Sequence, residues 1–422
     1  MIPQTMTHKI LARAAGRDHV VAGEIVEVGI DMAFTHDPVC EGLRREFRDA
    51  FGPDATVWDP ERIALFEDHL VPAKDAESRR LAAGMTQFAT EQGITHHYPY
   101  GENYGICHVM MCDEGLVQPG TVVLGTDSHS VTYGAFNAFG SGVGMIDMVN
   151  AFYTGDLWFR VPESIEVRIE GELPPGVLAK DVILTLIGDL GMGGASGRSI
   201  EFTGSTIDTM SVEERMTLCN MVVEAGAVNG IMALSPAAAE YLAARPRTVP
   251  YEPVTSDPGA PFARRLEYRA EKLRPAVAYP HRPDNVHSID EAMADRIRVD
   301  QVYIGSCTGA KYDDIEVAAA ELAGKRVAPG VRLMIVPATM GIYRRLALSG
   351  TMSTLLAAGA VVESPGCKAC YGAHGGVVGD GEVCLSTTNR NFRGRMGNPK
   401  SSVYLASPIV AARSALAGRI TE

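Results

Sequence analysis

Short apolar runs alternate with amphipathic segments over most of this chain, and that alternation limits the fold more than any other feature. An amphipathic start from His8 to Ala15 leads into the strand-like EIVEVGIDMAF and then the polar, helical EGLRREFRDAF. RIALFEDH reads as a strand that ends on a carboxylate–imidazole pair. ESRRLAAGMTQFATEQG reads as an amphipathic helix closed by Gly93, and TVVLGTDSH as an apolar strand that breaks into polar residues. Repeated strand–helix alternation predicts α/β layers with largely parallel sheets.

At 422 residues the chain is too long for one ordinary domain. A second block opens on the alternating SIEVRIEG and the turn signal PPG. The stretch from about residue 245 to 288, rich in Pro, Arg and charge, reads as an exposed linker. The α/β pattern resumes with QVYIGS, DDIEVAAAELAG, VRLMIVPA, RRLALSGTMSTLLAAG and AVVES. The expected units are 1–162, 163–288 and 289–422. A formal net charge of -13 disfavours a nucleic-acid partner. There is neither a signal-type leader nor a run of about eighteen apolar residues, so a cytoplasmic chain with no membrane span is expected.

Eight cysteines are too few for a disulfide scaffold in a chain of this length. Five lie in apolar runs, where a thiol is usually a small buried hydrophobe. Cys307 ends the strand QVYIGSC, while Cys367 and Cys370 follow the strand AVVESPG, all in Gly-containing turns. Ligands bind at the carboxyl ends of parallel strands, and glycine lets backbone approach a bulky group. On spacing alone an iron–sulfur cluster, a zinc site and a redox pair stay equally open.

Longer words in the sequence separate these readings. GSCT followed by PGC-x-x-C-x-G resembles the cluster signature of the aconitase superfamily, and FEDHL, GICH, GTDSHS, TLCNMVVEAGA and TTNRNFRGRMG resemble its other motifs, in the same order. The resemblance runs from about Asp31 to the C-terminus. It implies three α/β/α-type domains around a central cleft, and a 4Fe–4S cluster held by Cys307, Cys367 and Cys370, with the fourth iron open to substrate. It also implies a hydro-lyase acting on a hydroxy di- or tricarboxylate. Losing water from such an acid requires proton abstraction, polarisation of a poor leaving group and neutralisation of charge.

Imidazole beside carboxylate, twice in one domain, is the pattern that tuned proton transfer needs. By resemblance, Asp68, His69, His108, Asp127 and His129 are catalytic, with Glu224 paired to a catalytic histidine. His36 and Ser128 fall at substrate-contacting positions, although Val39 departs from the Thr common after His36. Asn220 stands beside the cluster by resemblance, four residues before Glu224 in an apparent helix, so that both share one face. Asn389, Arg390 and Arg395 match the family's carboxylate-binding loop, where planar guanidinium forks suit a diacid.

Only about 25 residues follow Gly397, too few for the swivelling fourth domain of single-chain aconitases. That gap resembles the split type formed by isopropylmalate dehydratases and homoaconitases. It implies a separate small subunit carrying that domain and, most simply, conversion of 2-isopropylmalate to 3-isopropylmalate in leucine biosynthesis. Homoaconitate-type or 2,3-dimethylmalate-type substrates are the alternative. Gly309 and the CKAC loop depart from the family's usual Asn and CGPC. Two readings from other classes are an iron-responsive RNA-binding regulator, which the charge opposes, and a zinc-stabilised binding protein.

Overall fold

The computed structural model describes residues 2–246 and 252–422, arranged around three larger sheets whose strands are mainly parallel and a two-stranded antiparallel sheet of Ile25–Gly29 with Asp156–Arg160. The first sheet has the order His96–Tyr98, Ile63–Phe66, Met32–His36, Val122–Gly125, Phe139–Gly142, every pair parallel. Its two faces follow from the period-2 geometry of a strand. Ala33, Ile63, Leu65, Val122 and Leu124 face a core shared with Leu43, Phe47, Met85, Phe88 and Met148. These come from helices Asp37–Phe51, Ala76–Gln92 and Met145–Thr154. Phe34, Phe66 and Val123 face the opposite way, into the core that joins this unit to the rest of the chain. Strands buried on both faces read as continuous apolar runs, as these do.

Local signals set the helix limits. Asp75 caps Ala76–Gln92 by accepting from Ser78 N at 2.7 Å, and Gly93 closes it at φ 69°. In TLCNMVVEAGA, read as one helix, the α-helix stops at Met221. Val222–Ala225 continues as a 3₁₀ turn closed by Gly226 at φ 87°.

The second sheet runs Asn229–Met232, Ser199–Thr203, Ser164–Glu170, Phe262–Arg269, again all parallel. The third runs Val286–Ser288, Ala276–Ala278, Ser402–Leu405, Val383–Ser386, Gln301–Ile304, Arg332–Ile335, Val361–Val362, with antiparallel pairing only among its first three strands.

The expected linker at 245–288 is therefore corrected. Residues 247–251 of it lie outside the described residues, but Phe262–Arg269 is an edge strand of the second sheet and the buried Ala276–Ala278 belongs to the third. An edge strand whose charged side chains face water has the composition of a linker. The third sheet thus reaches back beyond residue 289. Among the described residues no helix is long and apolar enough to cross a membrane.

The histidine-bearing rim of the first sheet and the cysteine-bearing rim of the third both lie at carboxyl ends of parallel strands. His36 ends one strand, Asp68 and Asp127 each follow another by two residues, and Cys307 and Asn389 each follow a third-sheet strand by three. Such ends are where α/β sheets bind ligands.

Candidate active site

Asp127 is the centre of the acid–base groups. It caps the 3₁₀ segment Ser128–Phe136, accepting from His129 N at 2.8 Å. His108 Nε2 lies 3.0 Å and His129 Nδ1 3.3 Å from its Oδ1, while His69 Nε2 and His36 Nε2 stand 3.7 and 4.0 Å from Oδ2. Burial opposes the charge on Asp127, but His108 and His129 outweigh it and hold the carboxyl well below its ordinary range.

His69 is fixed from two sides. Its Nδ1 lies 2.6 Å from Asp68 Oδ1, and the other Asp68 oxygen accepts from Cys107 N at 2.8 Å. His36 stacks on His69 with ring centroids 4.3 Å apart. Asp37, buried in the first turn of its helix, accepts from the backbone N–H groups of Asp68, His69 and Leu70 at 3.3, 3.0 and 2.8 Å. Burial works against an imidazolium at His69, yet Asp68 and Cys367 push it well above the usual value. Burial and then His69 lower His36 to about 4. Burial likewise opposes ionisation of Asp68, and His69 overrides it to hold the carboxyl near about 2. The pair is thus a charged donor, His69, beside a neutral ring, His36.

Glu224 connects this group to the arginine loop. Its Oε1 lies 2.9 Å from His129 Nε2 and accepts from Arg390 Nε at 2.7 Å, while Arg390 Nη2 donates to Ser128 Oγ at 2.9 Å. Burial opposes its ionisation, and His129 with Arg390 lowers its pKa nonetheless. Arg395 is different. Its Nε has no hydrogen-bond partner, and its guanidinium lies 5.9 Å from the Tyr371 ring centroid. Burial disfavours its charge, but Cys370 and Asp127 more than compensate.

The three cysteines meet these groups in one cleft. Asn389 spans two of them: Nδ2 lies 3.3 Å from Cys307 Sγ, and Oδ1 3.5 Å from Cys370 Sγ. Asn220 Nδ2 donates to Cys307 Sγ at 3.1 Å and to Thr132 Oγ1 at 2.8 Å, and Asn220 Oδ1 accepts from Asn389 at 2.8 Å. Cys367 N donates to Asp68 O at 2.8 Å, and Cys370 N to Cys367 O at 3.0 Å. All three side chains are buried.

Spacing bears on what the sulfurs hold. Three thiolates at about 2.3 Å from one zinc lie roughly 4 Å apart. Among the described residues, the sets of three or more ligand atoms within 4.8 Å of one another are His36/Asp37/Asp68/His69 and His108/Asp127/His129, and neither contains a cysteine. Wider sulfurs, with two amide N–H donors aimed at Cys307, fit a group larger than a single ion, as iron–sulfur sites require.

Two departures noted in the sequence have local causes. A Cβ on Gly309 would overlap the side chain of Thr387, whose Oγ1 donates to the carbonyls of Gly305 and Gly309 at 3.1 Å each. Lys368 takes the left-handed conformation at φ 47° and is held by Glu363 and Ser364, each at 2.9 Å.

Sequence reasoning missed several members. Tyr133 OH lies 3.3 Å from His108 Nδ1, and Ser306 Oγ donates to Asn389 Oδ1 at 3.1 Å. Tyr371 stands edge-on to His69, with centroids 5.0 Å apart. Ser306 and Tyr371 flank cysteines already singled out, so adjacency was a usable signal. Tyr133, four residues past His129 in an apolar run, gave none.

With the geometry in place, comparison with known proteins gives consistent matches. The family model described as the aconitase family (aconitate hydratase) matches residues 32–418. The 3-isopropylmalate dehydratase large subunit of Heliobacterium modesticaldum is 46% identical over 418 residues, covering 99% of this chain and 98% of that protein. The probable methanogen homoaconitase large subunit of Methanothermobacter thermautotrophicus is 44% identical over 423 residues, covering 100% and 98%. Among solved structures, Thermococcus kodakaraensis aconitase X in its holo-form superposes with a TM-score of 0.52 at 10% identity, over 86% of this chain and 84% of that one, a likeness of fold alone.

Proposed function

The chain belongs to the aconitase family, and from that premise we propose that it is the cluster-carrying large subunit of a hydro-lyase that converts 2-isopropylmalate to 3-isopropylmalate, as in leucine biosynthesis. It is a hydro-lyase of the 3-isopropylmalate dehydratase and homoaconitase type. The relatives' designation as large subunits supports a small-subunit partner. The observation that carries the reading is Asn389 joining Cys307 to Cys370 in the cleft where Asp127 gathers four imidazoles.

In this reading Cys307, Cys367 and Cys370 hold a 4Fe–4S cluster. When bound, it supplies a Lewis-acidic iron that polarises the substrate hydroxyl. The chain's own residues do the rest. Asp68 keeps the proton on His69, and Asp127 with His108 and His129 forms a second proton-holding group facing the same space. Together they deliver the proton that leaves with hydroxide and recover it on rehydration. Glu224 orients His129, and Arg390 orients Glu224. Arg395, whose guanidinium faces Cys370 and Asp127, receives a substrate carboxylate in this reading.

A homoaconitate-type substrate is the second reading, supported by the 44% identity to the homoaconitase subunit. Anaerobic purification with iron and sulfide analysis tests the first step. Four irons and four acid-labile sulfides per chain are expected, and a zinc-only protein would refute the proposal. Turnover with 2-isopropylmalate against homoaconitate then separates the substrates.

A further inference from the structure

Lysine is almost never fully buried unless it is paired. This chain buries Lys180, Lys311 and Lys368 at 1–2% exposure, and every other lysine among the described residues reaches solvent. Lys368 sits between Cys367 and Cys370, Lys311 donates to Thr308 O beside Cys307, and Lys180 donates to the turn at Thr387 and Thr388. Two have their own carboxylate. Lys311 Nζ lies 2.6 Å from Asp314 Oδ2, and Lys368 Nζ lies 2.9 Å from Glu363 Oε2. Lys180 is the exception, because both its hydrogen bonds go to carbonyls, Thr387 O at 2.9 Å and Thr388 O at 2.6 Å.

Its position makes the charge harder to keep. Lys180 is the second residue of helix Ala179–Leu190, in a first turn where the helix dipole disfavours a cation. Burial and the neighbouring Lys311 bring it down to about 7, while Asp314, Cys370 and Cys307 pull upward. Asp314 is already engaged by Lys311. Asp181 accepts from the backbone N–H groups of Leu178 and Ala276, and burial raises both it and Glu213, so the sulfurs are a further source of negative charge beside Lys180.

We propose that Lys180 is the counter-charge of the cluster held by Cys307, Cys367 and Cys370, and a positioning residue that fixes the turn at Thr387 and Thr388. The inference rests on the functional reading above. Three thiolates on a dicationic cubane carry net negative charge, which one buried ammonium offsets. The carbonyls that Lys180 grips lead directly into Asn389, whose amide touches both Cys307 and Cys370. One side chain therefore acts on the cluster twice, through its field and through the turn.

Lys180→Met, Lys180→Gln and Lys180→Arg test this in the full chain, after far-UV circular dichroism has established folding without cluster. The readouts are the midpoint potential of the cluster and its rate of loss to a chelator. Met and Gln should lower the potential, because removing a positive charge disfavours the added electron. Arg should stay near wild type. The Met variant should lose its cluster about tenfold faster, the effect of one unscreened charge at short range. Gln keeps donors for the two carbonyls and decides the question should Met not fold. The double variant Lys311→Met/Asp314→Asn removes a neutral pair and should leave the potential unchanged. Wild-type potential and lifetime in both Met and Gln would overturn the proposal, as would an equal shift in the double variant. A wild-type chain with no cluster at all would instead refute the functional reading, before any variant is compared.

Discussion

Arg390 donates from Nε to Glu224 Oε1 at 2.7 Å, and the same oxygen lies 2.9 Å from His129 Nε2. A residue expected to offer substrate an open fork is already engaged with the acid–base group. Arg395 instead has a buried Nε with no hydrogen-bond partner, and its guanidinium faces Cys370 and Asp127. In the proposed reading Arg390 and Arg395 divide the work, one holding Glu224 and the other meeting a substrate carboxylate.

Arg390→Lys is expected to damage turnover while preserving charge. An ammonium cannot reach Glu224 and Ser128 in the two-pronged geometry, so Glu224 would no longer hold His129 against Asp127. Loss of such a buried charge-assisted pair costs on the order of 2–5 kcal/mol, about two to three decades in kcat/KM. Kinetics and melting temperature of the reconstituted enzyme check this. Near-normal kcat/KM with an intact cluster would remove Arg390 from the site.

Arg395→Gln should act mainly on binding. In the proposed reading its partner is the substrate, so KM for the hydroxy diacid and Ki for dicarboxylate inhibitors should rise together, by roughly ten- to a hundredfold. A fall in kcat with unchanged Ki would place Arg395 in the proton-transfer machinery instead.

The legible part of this molecule was what sequence-local physics dictates. Apolar runs gave the strands, Asp75 and Gly93 bounded a helix, and the three cysteines stood out because they broke from apolar runs into glycine turns. What was not legible depended on tertiary contacts. The strand Phe262–Arg269 hid behind its edge-strand charges. Lys180 gave no motif, since only folding brings its ammonium to the carbonyls of residues more than 200 positions away. The Arg390–Glu224 pair is likewise 166 residues apart in sequence.

Cys307→Ser, Cys367→Ser and Cys370→Ser should each give a folded chain that retains little iron, because each removes one of three thiolates. Cys384→Ser should keep full iron. Cys384 is buried in the third sheet, and burial pushes its thiol up to about 12, so it stays a neutral core residue. Wild-type iron in any of the first three variants would break the ligand assignment.

The purified chain should turn over hydroxy acids poorly and gain activity when a small subunit of the same type is added. In the proposed reading the acid–base groups of this chain are committed to the leaving hydroxide, so the base for carbon deprotonation comes from the partner. Robust turnover by the isolated chain would show that a base for carbon deprotonation lies within it.

Stability should decline as pH rises through neutrality, in part because of Glu201. Its side chain is 2% exposed, accepting from Ser256 Oγ at 2.6 and 2.8 Å and from Met6 N at 3.4 Å. Burial raises its pKa from the ordinary 4.5 to about 7. A carboxyl raised on folding favours the protonated native state. Its contribution is fully present below about pH 4.5 and is lost as pH climbs through 7. The span corresponds to something on the order of 3 kcal/mol, enough to move the melting temperature by several degrees. Glu201→Gln keeps the shape and cannot ionise, so its melting temperature should exceed that of wild type by a margin that grows from about pH 4.5 to about pH 7 and then stays constant. Asp181, raised to about 7, and Glu213, raised to about 8, tilt both curves alike, and the difference between the curves isolates Glu201. Parallel curves for variant and wild type across that range would mean that Glu201 is already ionised in the folded protein and that Ser256 and the Met6 amide offset its burial.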